Sequence, residues 1–482
     1  MSKILTREGY LLKKSKFKKG ELIETRKELT VEPFMAFKHH NSTQNRFAVF
    51  SEDDDYLCIP KFYGLKKFGK PDENHQKDGE KVKFKFKGKP RPNQKSIIDT
   101  TIKHMEDDDG GLICVGCGVG KTFMGLYIAS HFKVKTLIIV HKTFLLNQWK
   151  ERIAEFTNAD VGIIQQNKVD IENKQFVVGM LQSIAKDKYD YDIFSDFGLI
   201  IFDEAHHAPS EYFSKALPII SCKKSLALSA TPKRSDKMEK ILFWYLGDIS
   251  YQAPPNENEN VLVNIYNYDL KHKKFAEATL PFTGEVNRPR TINRIVKLVK
   301  RNKFIIELLK EVLEEDGRKV LILSDRIEHL KDLKERIDKL EKYSCDFYIG
   351  GKSQKQLDEA SKAQILLGSY GMASEGLDIP SLNTLIMTTP RREVEQSIGR
   401  IIRKVGKVQP IIIDIVDMLP SLSRQGTYRR KLYKKLKYKI KLFEVENNVI
   451  ISENDINNKN FKEANNYKKA VIDNCDVGFI DD

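Results

Sequence analysis

The run Gly116-Cys117-Gly118-Val119-Gly120-Lys121-Thr122 constrains this chain more than any other feature. It follows the apolar stretch Leu112-Ile113-Cys114-Val115 and precedes a helix-like segment, Phe123 to Phe132. Strand, glycine loop, Lys-Thr and helix is the layout that cradles phosphates. The glycines turn backbone N–H groups toward an anion, and the helix N-terminus adds positive potential. Lys121 is placed to reach β- and γ-phosphates, and Thr122 to hold Mg²⁺ through its hydroxyl. The strict pattern asks for a glycine where Val115 stands, so the loop departs from it at that position.

A second anchor lies downstream. Leu199-Ile200-Ile201-Phe202 reads as a buried strand, and Asp203-Glu204-Ala205-His206 follows at its C-terminal end. Ligands of open α/β sheets bind outside the carboxyl ends of strands. Asp203 is therefore the expected metal partner, with Thr122, and Glu204 the group that orients or deprotonates the attacking water.

The rest of the chain alternates in the same way. From Arg91 to about Tyr251, apolar strands (Thr136–Val140, Phe176–Met180, Ser225–Leu228) alternate with helical stretches such as Phe144–Phe156. Ala253 to Asn260 reads as a linker. A second alternating set follows: helix Ile292–Leu313, strand Lys319–Leu323, helix Glu328–Leu340, then strands Gln364–Leu367, Thr384–Met387 and Pro410–Ile413. Alternation of this kind predicts parallel sheets covered by helices. The second set has no phosphate loop of its own, which suggests a composite site between the two. Lys81 to Lys87 alternates lysine with Val82, Phe84 and Phe86, predicting a strand with one lysine face. That face could track phosphates or could protect an edge strand. From Leu419 the chain reads as helical and basic to about Lys441, with Leu432, Leu436 and Ile440 four apart. Asn447 to Asp482 carries few signals.

A net charge of +15 suggests a polyanionic partner, most often nucleic acid. No apolar run is long enough to span a bilayer, and the lysine-rich start has no secretory h-region. The six cysteines, among them Cys114 and Cys117, form no second pair that would complete a zinc site, so free thiols in a reducing, intracellular compartment are expected.

These motifs occur in an order that resembles superfamily 2 helicases of the DEAH-box type. The resemblance is nearest to the poxvirus-type transcript-release helicases and the XPB-like translocases, and it spans about Lys89 to Asp417. Arg91-Pro92-Asn93-Gln94 looks like the element before the phosphate loop, whose glutamine reads the adenine edge. Val140-His141-Lys142-Thr143 and Gln182-Ser183 resemble strand-end motifs that face the nucleic-acid backbone. Ser229-Ala230-Thr231 resembles the motif linking ATP state to the nucleic-acid groove. Gly376-Leu377-Asp378-Ile379-Pro380 resembles motif V, with Ser369 and Ser374 as phosphate donors. Gln396-Ser397-Ile398-Gly399-Arg400-Ile401-Ile402-Arg403 is similar to motif VI.

The resemblance implies two RecA-like doubly wound parallel-sheet lobes, a small N-terminal domain and a basic helical C-terminal tail. The boundaries are 1–85, 86–252, 253–446 and 447–482. It implies ATP and Mg²⁺, bound by Arg91, Gln94, Cys117, Gly118, Val119, Gly120, Lys121 and Thr122, with Gly376 and Asp378. The implied catalytic set is Lys121, Asp203, Glu204, His206, Gln396 and the arginine fingers Arg400 and Arg403. It implies DNA or RNA as substrate and a monomeric core. A role in viral transcription would bring RNA polymerase or transcription factors as partners and place the protein in the host cytoplasm or virion. A duplex translocase that remodels a transcription complex, or a nucleic-acid-binding factor with a vestigial ATPase, stays open beside it. A metabolic kinase is disfavoured, because it would lack the Gln-x-x-Gly-Arg-x-x-Arg helix.

Overall fold

The computed structural model describes residues 2–33, 46–116, 118–230, 236–254, 260–375, 377, 379–399 and 408–456. Backbone contacts divide the chain into two compact units, Met1–Pro254 and Pro255–Asp482.

The first unit is built on an eight-stranded sheet in the order Lys168–Asp170, Val161–Gln165, Phe176–Met180, Thr136–Val140, Leu199–Asp203, Lys224–Ser229, Gly110–Cys114, Ile249–Gln252. Every neighbouring pair is parallel except the first. The central strands are buried almost end to end and mostly apolar because helices cover both faces. The second unit repeats the plan. Its order is Cys345–Tyr348, Ile365–Gly368, Val320–Leu323, Thr384–Met387, Ile411–Asp417, Leu262–Asp269, Lys439–Glu446, Val449–Asp455, and only the last pair is antiparallel. Both units are RecA-like α/β lobes.

An antiparallel sheet of Ser51–Glu52, Tyr56–Ile59, Tyr10–Lys13 and Lys3–Leu5, extended by a parallel Glu73–Asn74, covers one side of the first lobe. One hydrophobic core runs from Tyr10, Leu12 and Leu57 of this sheet to Leu217, Ile241 and Leu246 of the lobe. Lys61 is 4% exposed and donates to the Lys223 carbonyl at 2.8 Å, so the junction is polar as well as apolar.

Three local expectations change in the structure. Lys81–Lys87 alternates as expected: the lysines are exposed, Val82 is buried, and Phe84 and Phe86 pack edge-on to Phe176 and Phe123. It is not a ladder strand, however, because it has only the isolated bridges Lys81–Val134 and Phe86–Thr157. The helix expected over Ile292–Leu313 is two helices, Arg288–Ile295 and Val299–Leu313. Asn302 Nδ2 donates to the Val296 carbonyl at 2.9 Å and satisfies the group freed at the break. The C-terminal helix stops at Lys435. Ile440 lies in the strand Lys439–Glu446, and Val449–Asp455 pairs with that strand, so the segment after Asn447 begins as part of the sheet.

The second lobe is tied through buried ions. Arg301 and Asp417 are both fully buried, joined at 2.6 and 2.9 Å, and Arg301 also donates to the Thr388 carbonyl at 2.7 Å. The pair links helix Val299–Leu313 to the end of strand Ile411–Asp417. Removing one partner leaves the other charge buried, so Arg301→Ala should cost about 3–5 kcal/mol. Calorimetric unfolding of the full chain checks this; a transition unchanged within a degree would show the pair to be energetically idle.

Candidate active site

Strand Gly110–Cys114 delivers the chain to the glycine loop, and helix Lys121–Phe132 leaves it. Gly118 and Gly120 have φ of 82° and 91°, where side chains are strained. At Gly120 the need is double, since a Cβ would stand 2.5 Å from Gln94 Nε2. Gln94 is 2% exposed; its Oε1 accepts from the Arg91 N–H at 3.0 Å, and its Nε2 donates to the Val119 carbonyl at 2.7 Å. The residue expected to read an adenine edge thus braces the phosphate loop here.

Lys224–Ser229 separates Gly110–Cys114 from Leu199–Asp203 in the sheet, and all three strands run parallel. Their C-terminal ends bring the phosphate loop, the acidic pair and Ser229 together. Lys121 Nζ lies 3.7 Å from Glu204 Oε1. His206 Nδ1 lies 3.5 Å from Glu204 Oε2 and 3.3 Å from Ser229 Oγ. Glu204 sits at φ 47°, ψ 51°, a left-handed conformation unusual for a non-glycine residue. Asp203 accepts from Trp149 Nε1 at 2.8 Å on one oxygen and from the Glu204 N–H at 3.0 Å on the other. Burial, and then the adjacent Glu204 charge, push the Asp203 carboxyl well above the usual carboxylate range; Trp149 and Lys121 oppose the shift. A buried carboxyl raised in this way is one that gains most from a nearby cation.

The expected strand-facing residues do not form one exposed set. His141 is 6% exposed and its ring lies against His207, tilted by 34° with centroids 3.9 Å apart; the His207 ring in turn lies 4.2 Å from that of His206. Gln182 Nε2 donates to the His141 carbonyl. Ser183 is 6% exposed and accepts from the Gln166 N–H at 2.9 Å, so its hydroxyl serves the lobe's interior rather than a strand. Lys142 is half-buried ahead of helix Thr143–Phe156. In the second lobe, Ser369 is half-buried and accepts from the Met372 N–H at 3.4 Å. Ser374 falls in helix Tyr370–Glu375 and Gln396 in helix Glu395–Gly399. Cys117, Gly376, Asp378, Arg400 and Arg403 lie outside the described residues, as does Thr231.

Two participants carried no sequence signal of their role. Trp149 lies in helix Thr143–Phe156, and nothing in its spacing marks it as a donor to the carboxylate of Asp203. His207 follows the acidic motif, yet its contact with His141 depends on the register of two parallel strands.

Residues 87–234 match the family described as the res subunit of type III restriction enzymes, and residues 300–405 match the helicase conserved C-terminal domain. The chain is 38% identical over 453 residues to a protein of Acanthamoeba polyphaga mimivirus named as an ATP-dependent RNA helicase, covering 92% of this chain and 87% of that one. A protein of African swine fever virus with the same kind of name is 27% identical, covering 72% and 73% of the two chains. Among solved structures, the ATP-dependent Type ISP restriction-modification enzyme LlaBIII bound to DNA aligns with a TM-score of 0.51 at 16% identity. It covers 74% of this chain and 31% of that one, and shares the fold. No helix among the described residues is long and apolar enough to cross a membrane. The chain belongs to the superfamily 2 helicases, enzymes that bind nucleic acid and hydrolyse ATP.

Proposed function

We propose that this helicase works on RNA, in the transcription of a large DNA virus, and that its hydrolytic centre is built from Lys121, Thr122, Asp203 and Glu204. The observation that carries the catalytic part is the approach of Lys121 to Glu204, 3.7 Å, beyond the C-terminal ends of two parallel strands with one strand between them. The RNA reading is supported by the names of the mimivirus and African swine fever virus relatives. The sequence Asp203-Glu204-Ala205-His206 supports the DEAH subtype, and the resemblance to transcript-release helicases supports a termination role with RNA polymerase as partner.

ATP, when bound, supplies the phosphoanhydride that is cleaved. The loop N–H groups of residues 118–120 and the Lys121 ammonium are suited to hold its phosphates. Thr122 and Asp203 fit Mg²⁺: the buried Asp203 carboxyl, raised by burial and the Glu204 charge, would gain from a cation, and Mg²⁺ is commonly held by one or two protein oxygens plus substrate phosphates. Glu204, beside Lys121 and His206, is the base that takes the proton of the attacking water. His206, in reach of both Glu204 and Ser229, positions that base.

RNA, single-stranded DNA and duplex DNA compared side by side as ATPase activators test the substrate. RNA should stimulate most. Stimulation by duplex DNA alone would replace this reading with translocation along a duplex. Strand affinity should fall steeply with salt, since each neutralised phosphate of a single strand contributes a slope of about −0.7 in log K against log salt. Fluorescence anisotropy at several salt concentrations measures it; a flat response would remove the backbone-contact basis of the proposal.

A further inference from the structure

Lysine occupies every second position from Lys81 to Lys89, and each of these side chains is exposed. The backbone beneath them is held firmly. The Val82 N–H donates to the Lys133 carbonyl at 3.0 Å, the Lys85 N–H to Asn158 Oδ1 at 2.6 Å and the Lys87 N–H to the Phe156 carbonyl at 2.6 Å. On the inward side Phe84 meets Phe176 with centroids 5.0 Å apart, and Phe86 packs among Phe123, Tyr127 and Phe156. Lys83, Lys85 and Lys87 therefore project from a fixed rail, about 6.7 Å apart along an extended chain.

The row is not charge-balanced. Asp78 and Glu80 precede it, but Asp78 pairs with Lys223 at 2.6 Å and Glu80 with the buried Lys135 at 3.1 Å. Among the described residues, no carboxylate lies within ion-pair distance of Lys83, Lys85 or Lys87. Like charges at alternate positions repel one another, and a polyanion relieves all of them together. Edge protection does not account for the lysines. The edge strands of the first lobe's eight-stranded sheet are Lys168–Asp170 and Ile249–Gln252, and the run bridges neither.

Its place in the lobe separates the row from the ATP site. Its anchors stand where parallel strands begin. Val134, bridged by Lys81, precedes Thr136–Val140; Thr157, bridged by Phe86, precedes Val161–Gln165; Phe176 is the first residue of Phe176–Met180. The phosphate loop and the acidic pair follow the opposite, C-terminal strand ends. A polyanion on the row does not compete with ATP. A lysine ammonium is a point charge that meets phosphate oxygens without reading a base. An open, evenly spaced row suits a polymer that carries one charge per repeat.

We propose that Lys83, Lys85 and Lys87 form a nucleic-acid contact of their own, gripping the phosphate backbone of a single strand at the N-terminal strand ends of the first lobe, on the side of the sheet opposite the ATP site. That the strand is RNA rests on the substrate reading above; the row itself does not distinguish RNA from DNA.

The test uses the full chain with Lys83→Gln, Lys85→Gln and Lys87→Gln combined. Fluorescence anisotropy follows three labelled probes: an oligouridylate, an oligothymidylate and poly-L-glutamate. Affinity for both oligonucleotides should fall about 10-fold, and the slope of log K against log salt should shrink by about 2, three single-strand phosphates at about 0.7 each. Arginine at the same three positions keeps the charge and should keep affinity and slope. Both variants should melt with the wild type, because these side chains are exposed. Oligonucleotide affinity and salt slope equal to the wild type in the glutamine variant overturn the proposal. So does an arginine variant that loses as much as the glutamine one, since the run would then be disturbed rather than discharged. Loss of poly-L-glutamate binding alone assigns the row to an acidic polypeptide and likewise overturns it. A wild type that binds oligothymidylate but no oligouridylate overturns the RNA reading only, and the oligothymidylate arm then decides the row. A wild type that binds neither overturns the row as well.

Discussion

Lys121→Ala is expected to abolish ATP hydrolysis while leaving the fold in place. The ammonium stands at the first position of helix Lys121–Phe132, behind the glycine loop and 3.7 Å from Glu204. Charge develops on the transferred phosphoryl oxygens, and a positioned cation there has no solvent substitute once water is excluded. Loss of one such group costs about 10²–10³ in rate in comparable sites. The side chain is not part of a hydrophobic core cluster, so melting should change little. Steady-state turnover with RNA present, measured alongside thermal unfolding, separates the outcomes. A correctly folded variant that hydrolyses ATP near the wild-type rate would sink the site assignment.

Glu204→Gln should give a different phenotype: nucleotide still binds, and turnover stops. The amide keeps the shape of the carboxylate, so the left-handed turn that closes strand Leu199–Asp203 can be retained. It cannot accept a proton, and loss of a general base costs about 10²–10⁴. With ATP present, the variant should hold nucleic acid more tightly than the wild type, because the nucleotide state that grips the strand is not discharged. Nucleotide titration, single-turnover rates and strand affinity with and without ATP test it. Failure to bind nucleotide would mean that Glu204 supports the loop instead of the chemistry.

The sheet strands were legible because parallel strands buried on both faces read as unbroken apolar runs. Thr136–Val140, Phe176–Met180 and Thr384–Met387 lie where the sequence puts them. Periodicity alone was less informative. It identifies the faces of Lys81–Lys87 but not whether a partner strand exists, and four-residue spacing through Leu432, Leu436 and Ile440 crosses from a helix into a strand. At the break before Val299 one side chain, Asn302, bonds back to a carbonyl, a contact that periodicity does not show. At the candidate site, residue types and motif order were readable, whereas burial was not. Ser183 and His141 sit at strand ends as expected, yet packing turns both inward. The Trp149–Asp203 bond spans 54 residues and exists only because helix Thr143–Phe156 crosses the sheet at that strand end.

That bond gives the molecule an optical readout of its own. The chain has two tryptophans. Trp149 is fully buried with its indole N–H on Asp203, a carboxyl that the neighbouring Glu204 and Lys121 charges shift in opposite directions. Trp244, in helix Lys240–Leu246, is 5.5 Å from the Tyr63 ring, edge-on, where the N-terminal region's helix Lys61–Phe68 packs on the first lobe. Emission from the first reports the state of the acidic pair, and emission from the second reports the seating of helix Lys61–Phe68. With one replaced by phenylalanine, each signal can be followed in unlabelled protein through a catalytic cycle.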